Sequence, residues 1–213
     1  VTVNDVALAL VGGALRGYLQ ARGALPDRPL VAFVPVGMDE PGVASRAVGN
    51  RFSCLTTSLA TEVADPWERL QRISAVTAEA KACLDLAGRE LMVDWLECIP
   101  PVLAGFLVRR DQAARRRSGT RRVRLDTNVM VSNLRGASVP WQLGPIVVEE
   151  MYVVPPGNGV GVNFVLWDYA GCLLFGILSF TDSIEDPGEL AVRLSRSLDE
   201  LVAVAERRRV RTT

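Results

Sequence analysis

No histidine occurs among the 213 residues, so the side chain that most often takes a proton near neutral pH is missing. Glycine-rich phosphate loops, histidine-based zinc motifs and nucleophile elbows do not occur either. The residues left to do chemistry are polar groups standing where apolar ones would be expected. Asn4-Asp5 head an apolar helix, Gly49-Asn50 open a strand, and Ser132-Asn133 with Gly136 close another. Amides and hydroxyls of this kind donate and accept hydrogen bonds and can hold a substrate, but they do not act as bases at neutral pH. Each also has a local explanation. Asn4-Asp5 can serve as a helix cap, Gly49-Asn50 as turn residues, and Asn133 as a turn residue bonded to its own chain.

The elements that must position these groups can be read from caps and periodicity. Thr2 followed by Asp5 predicts a capping-box start, after which Val3, Val6, Ala7, Leu10, Ala14 and Tyr18 share a helical face and Gly23 supplies the stop. Residues 30–36 are apolar on both faces, as in a covered strand, 38–48 read as loop and 50–60 as strand. Asp65-Pro66-Trp67-Glu68 starts a helix carrying Leu70, Ile73, Thr77 and Ala80. Asp186-Pro187-Gly188-Glu189 starts another with Leu190, Leu194, Leu198 and Leu201. Residues 123–133, 144–154, 160–168 and 172–180 read as four strands, with turns at 155–159 and 169–171. The order predicts an α/β fold with a mixed, partly antiparallel sheet flanked by helices. In 123–133, Val123, Leu125, Val129 and Val131 form an apolar face, and Arg124, Asp126, Asn128, Met130 and Ser132 alternate with them. If that second face borders another domain, Asn128, Ser132 and Asn133 line a channel; otherwise they face water.

Composition removes several function classes. The 24 basic and 24 acidic side chains cancel, leaving no long-range field to draw in a polyanion, so no nucleic-acid partner is expected. Cys54, Cys83, Cys98 and Cys172 have no metal-site spacing and read as small buried hydrophobes of a reducing cytosol. The apolar stretch 86–108 is broken by Asp94, Glu97 and Pro100-Pro101 and cannot span a bilayer. Behind it, 109–124 carries eight arginines against Asp111 alone. That run is either a solvated segment or a basic anchor that, with 86–108, holds the protein on an anionic lipid surface. Starting at Val1, the chain reads as a piece of a longer protein.

Taken in order, the polar segments resemble the carboxy-terminal half of the bacterial wax ester synthase/acyl-CoA:diacylglycerol acyltransferases. Thr2-Val3-Asn4-Asp5-Val6-Ala7-Leu8-Ala9 is similar to that family's N-D-V-V-L-A motif, and Leu25-Pro26-Asp27 through Val34-Pro35-Val36 to its L-P to V-P-V strand. Gly49-Asn50-Arg51 resembles the G-N motif and Ser132-Asn133-Leu134-Arg135-Gly136 the S-N-V-P-G-P motif. Asp168-Tyr169-Ala170-Gly171 with Phe175-Gly176 resembles the S-Y-x-G and F-G segment. Leu134-Arg135 stand where the family has Val-Pro, and Asp168 where it has serine.

The resemblance implies one half of a chloramphenicol acetyltransferase-like fold, with residues 1–213 as the carboxy-terminal acyltransferase domain and a substrate tunnel between two α/β halves. It implies transfer of a fatty acyl group from acyl-CoA to a long-chain alcohol or diacylglycerol, with no metal or redox cofactor. The proton would go to a histidine of the H-H-x-x-x-D-G motif in the half upstream of this chain. Asn4, Asp5, Asn128, Ser132, Asn133 and Gly136 would then bind substrate or line the tunnel, and Gly49 and Asn50 would be structural. The implied partners are the amino-terminal half, acyl-CoA, a lipid alcohol and a membrane or lipid-droplet surface at the cytoplasmic side. Two other readings remain: a non-catalytic lipid-binding or scaffolding module of the same fold, and a specialised-metabolite acyltransferase.

Overall fold

In a computed structural model, the described residues are 1–37, 52–88, 99–100, 102–103, 105–106, 109–110, 127–155 and 161–212. The elements follow the order α1 (Val3–Ala21), β1 (Val31–Gly37), β2 (Phe52–Ser58), α2 (Pro66–Ala87), β3 (Val129–Arg135), β4 (Trp141–Leu143), β5 (Ile146–Val148), β6 (Val162–Tyr169), β7 (Cys172–Ser179) and α3 (Pro187–Thr212). Each helix begins where its local chemistry predicts. Thr2 and Asp5 complete a reciprocal capping box, Asp65 Oδ1 accepts the Glu68 N–H at 2.8 Å, and Asp186 Oδ1 accepts the Gly188 N–H at 2.8 Å. At the far end of α1, Gly23 takes the left-handed conformation at φ +61°.

Five strands form one mixed sheet in the order β2-β1-β3-β6-β7, and β4 and β5 form a separate two-stranded ribbon. β1, β3 and β6 are mutually parallel, and the two edge strands run antiparallel to their neighbours. The register places Leu55, Ala32, Val34, Val129, Val131, Val162, Phe164 and Leu166 on one face. There they share a core with Leu8, Val11, Leu70, Ile73, Leu190 and Leu194 from the three helices. Burial of this apolar surface is the main force that seats the helices on the sheet. β6 is buried on both faces, which its unbroken Val-Asn-Phe-Val-Leu-Trp run allows.

The opposite face is covered in part by residues 141–155. Tyr169 anchors the ribbon: its hydroxyl accepts the Trp141 N–H at 2.8 Å and donates to the Val148 carbonyl at 2.7 Å. The Trp141 ring meets the Tyr169 ring edge-on, with centroids 5.9 Å apart. Farther along, a Cβ on Gly176 would stand 2.1 Å from the Val153 carbonyl oxygen, so β7 admits no side chain where this segment crosses. Tyr169→Phe should lower stability by about 1–3 kcal/mol, because it strands a backbone donor and acceptor together. Urea denaturation measures this, and an unchanged midpoint would place the ribbon's anchorage elsewhere.

Three expectations need correction. The strand expected over 144–154 is instead the short hairpin β4-β5, because Gly144 at φ +62° followed by Pro145 turns the chain back. Cys83 and Cys172 are exposed and Cys54 is half-buried, so none of the three is a core hydrophobe: Cys83 lies on the solvent side of α2, and Cys172 opens an edge strand. The second face of β3 is not a simple polar surface either, since Ser132 is buried opposite buried Val165 of β6, and Asn163, opposite Met130, is fully buried. The expected loop at 38–48, residues 123–126, most of 86–108 and 109–124, Cys98 and the turn at 155–159 fall mainly outside the described residues. Among the described residues, no helix is long and apolar enough to cross a membrane.

Candidate functional site at the carboxyl ends of the parallel strands

The parallel strands β1, β3 and β6 end along one edge of the sheet, the edge at which open α/β sheets place their ligands. Gly37 ends β1 there and is paired with Phe52 at the start of β2. The chain therefore leaves and re-enters the sheet at this edge through 38–51, which holds Gly49 and Asn50 and lies outside the described residues. The N-terminus of α1 comes to the same edge. Asn133 Nδ2 donates to Asn4 Oδ1 at 3.5 Å across 129 positions of sequence. Asn133 is exposed and Asn4 half-buried, so the amide pair remains open to a ligand.

Asn133 lies outside the left-handed backbone region, in which Ala60 and Ala170 are the non-glycine residues among those described. Its side chain bonds Asn4 rather than its own turn, which removes the local explanation offered by the sequence. Ser132, one residue earlier, points to the other face of the sheet. The two halves of the Ser132-Asn133 pair therefore serve different surfaces. Gly136 is fixed by close approach: a Cβ there would lie 2.1 Å from the Asp168 carbonyl oxygen and 2.8 Å from the Trp167 ring. Together with the Ala170 N–H to Ala137 carbonyl bond at 2.7 Å, this clamps the Ser132–Gly136 segment to the Asp168–Gly171 turn. Asn128 does not join the cluster. It stands at the opposite end of β3, about 17 Å from Asn133 at a strand's rise per residue. There its Oδ1 accepts the Val31 N–H at 2.9 Å and its own N–H donates to the Val31 carbonyl at 2.8 Å.

Asp5 is buried beneath Asn4. Its Oδ2 accepts the Thr2 N–H at 2.7 Å and the Ser74 hydroxyl at 3.1 Å, tying α1 to α2. Burial pushes this carboxyl upward, but the Thr2 backbone, the Thr2 and Ser74 hydroxyls and the Lys81 charge together hold it below its ordinary value. Asp5 is thus an ionised structural carboxylate and too weak a base to take an alcohol proton. Its Oδ1 is buried with no hydrogen-bond partner. Ser74 was not singled out from the sequence. It stands four residues after Leu70 on α2, a polar residue within an apolar stripe, and that spacing was the available signal. Among the described residues no cluster of acidic, cysteine or histidine side chains could hold a metal ion. What the described residues of the site offer is an amide pair near a strand end, held on a rigid support.

A family model described as the WS/DGAT C-terminal domain matches residues 48–202. In Mycobacterium tuberculosis (strain ATCC 25618 / H37Rv), the protein Rv0895, named as a diacylglycerol O-acyltransferase, is 33% identical over 213 residues; the match covers 96% of this chain and 40% of that protein. A second protein of that strain, tgs2, bears the same activity in its name and is 35% identical over 209 residues, covering 94% and 42%. The solved wax ester synthase/diacylglycerol acyltransferase from Marinobacter aquaeolei VT8 superposes with a TM-score of 0.67 at 27% identity, covering 96% of this chain and 44% of that one. The chain therefore spans about two fifths of the length of the relatives it matches.

Proposed function

Because the chain belongs to the WS/DGAT C-terminal domain family, we propose that it is the carboxy-terminal domain of an O-acyltransferase moving a fatty acyl group from acyl-CoA to a long-chain alcohol or diacylglycerol. The observation that carries this reading is the Asn133–Asn4 contact, which joins two motifs 129 positions apart at the ligand edge of the sheet. In the reaction, the alcohol oxygen attacks the thioester carbonyl and its proton passes to a base. The coenzyme A thiolate then leaves and recovers that proton. No histidine is present in this chain, so the base belongs to an amino-terminal half, and acyl-CoA enters as substrate with no metal or redox cofactor needed. General-base assistance is worth about 10²–10⁴-fold. This half supplies hydrogen bonds and position instead.

The amino-terminal half needs a surface to meet, and the ribbon provides one. Trp141, Leu143, Ile146, Val147 and Tyr152 are all exposed large hydrophobics in or near it, the kind of surface that marks a protein interface. Contact with an anionic lipid surface through 86–108 and 109–124 belongs to the same proposal. Within that stretch, Val102, Leu103 and Phe106 are exposed.

The test mixes this chain with the upstream half of the same gene product and measures coenzyme A thiol release from a long acyl-CoA with an added alcohol. Release in the mixture alone is expected. A stable complex without release would instead favour the non-catalytic lipid-binding module.

A further inference from the structure

Away from the site, α1, the start of α2 and α3 enclose a cleft of about 330 Å³ lined by four arginines, Arg16, Arg69, Arg193 and Arg196, against one carboxylate, Glu200. Exposed arginines normally extend their charged ends into water. Here Arg69 is only 3% exposed. Its Nη1 donates to the Val63 carbonyl at 3.0 Å, and its buried Nε has no partner. Arg16 is held alongside by the Thr61 carbonyl at 2.7 Å. Arg193 is turned by Glu189, which accepts from its Nε and Nη2 at 2.8 and 2.6 Å.

Two glycines of α1 leave room for these side chains. A Cβ on Gly13 would fall 2.6 Å from Ser197 Oγ and 2.8 Å from Arg69 Nη2, and one on Gly17 would fall 2.8 Å from Arg193 Nη1. Glycine inside a helix is unfavourable, yet α1 carries one at both positions where the guanidiniums lie against it. The result is an open cleft in which Arg16, Arg69 and Arg196, besides the Glu189-paired Arg193, face one lining carboxylate, Glu200, beside a buried guanidinium nitrogen with no hydrogen-bond partner and the buried Ser197 hydroxyl.

We propose that this cleft binds a phosphate group, carried either by a soluble phosphorylated compound or by a lipid headgroup. A group of guanidiniums lining one cleft suits a tetrahedral oxyanion with several acceptor atoms better than a carboxylate, and the carboxylate of Glu189 is already held by Arg193. The cleft begins about 14 Å along α1 from Asn4 at the helical rise per residue.

The experiment titrates the chain with pyrophosphate by calorimetry at constant ionic strength set with sodium chloride. In parallel, the chain is floated with phosphatidylglycerol or phosphatidylcholine vesicles. The wild-type chain is expected to bind pyrophosphate saturably or to float with phosphatidylglycerol selectively. The first outcome identifies a soluble ligand, and the second without the first identifies a headgroup. Arg196→Glu, an exposed change at the mouth, should weaken either binding about tenfold or more at an unchanged melting temperature. Arg207→Glu, also exposed on α3 but outside the cleft, should leave it intact. Arg69→Met should abolish binding, and if that variant fails to fold, Arg196→Glu still decides. Absence of both kinds of binding in the wild type overturns the proposal. So does equal loss in Arg207→Glu and Arg196→Glu, or no loss in Arg196→Glu.

Discussion

Asn133→Ala, made in the enzyme assembled from both halves, should slow turnover about ten- to a hundredfold and leave the melting temperature nearly unchanged. The kinetic loss corresponds to about 1–3 kcal/mol of barrier, the range for removing one hydrogen bond to a polar or charged partner. The small stability effect follows from the exposure of Asn133, whose protein contact is one long amide bond to Asn4 at 3.5 Å. Asn4→Ala should act in the same direction. Because the two amides touch, the double variant should lose less than the product of the single effects. Steady-state rates and thermal melts on one preparation separate the accounts. A fall in stability with full activity per folded molecule would reduce the pair to a structural clasp.

Asp5→Ala should do the reverse, costing about 2–3 kcal/mol of stability. A lost helix cap accounts for about 1 kcal/mol, and stranding the Ser74 hydroxyl inside the α1–α2 junction adds a penalty of similar size. The carboxyl is held below its ordinary value of 3.8 in the folded chain. Its stabilising contribution is therefore complete above that value and disappears as pH falls through the lowered one. The stability gap between wild type and Asp5→Ala should accordingly be widest above pH 3.8 and narrow on further acidification. Urea midpoints measured across an acid series check both the size and the sign. A gap that widened in acid would mean the carboxyl titrates upward, as burial alone would dictate. An unchanged midpoint with lost turnover would move Asp5 from support into direct contact with substrate.

How much of this could be read from the chain depends on the range of the interaction concerned. The caps at Thr2, Asp65 and Asp186 and the Tyr169-Ala170-Gly171 turn are settled within about four residues, where side-chain oxygens meet backbone N–H groups of their own segment. Their patterns therefore specify the starts of all three helices and the β6–β7 turn. The alternation in 129–132 likewise marks which side of β3 faces the core. Local pattern fails where a residue's partner lies far along the chain. Asn128, just before β3, and Asn133, within it, have the same chemistry, yet one clamps Val31 and the other meets Asn4, because the strand's direction sends them to opposite ends of the sheet. Ser132 could not be told from a solvated serine until the fold buried it. Gly13 and Gly17 look like weak points in a helix until α2 and α3 bring arginines against them. The sequence alone determined where the helices start and where β6 turns into β7, because caps and turns are short-range hydrogen bonds. Only the tertiary structure decided which polar groups share a site, because burial of one apolar face brings together residues that no local interaction links.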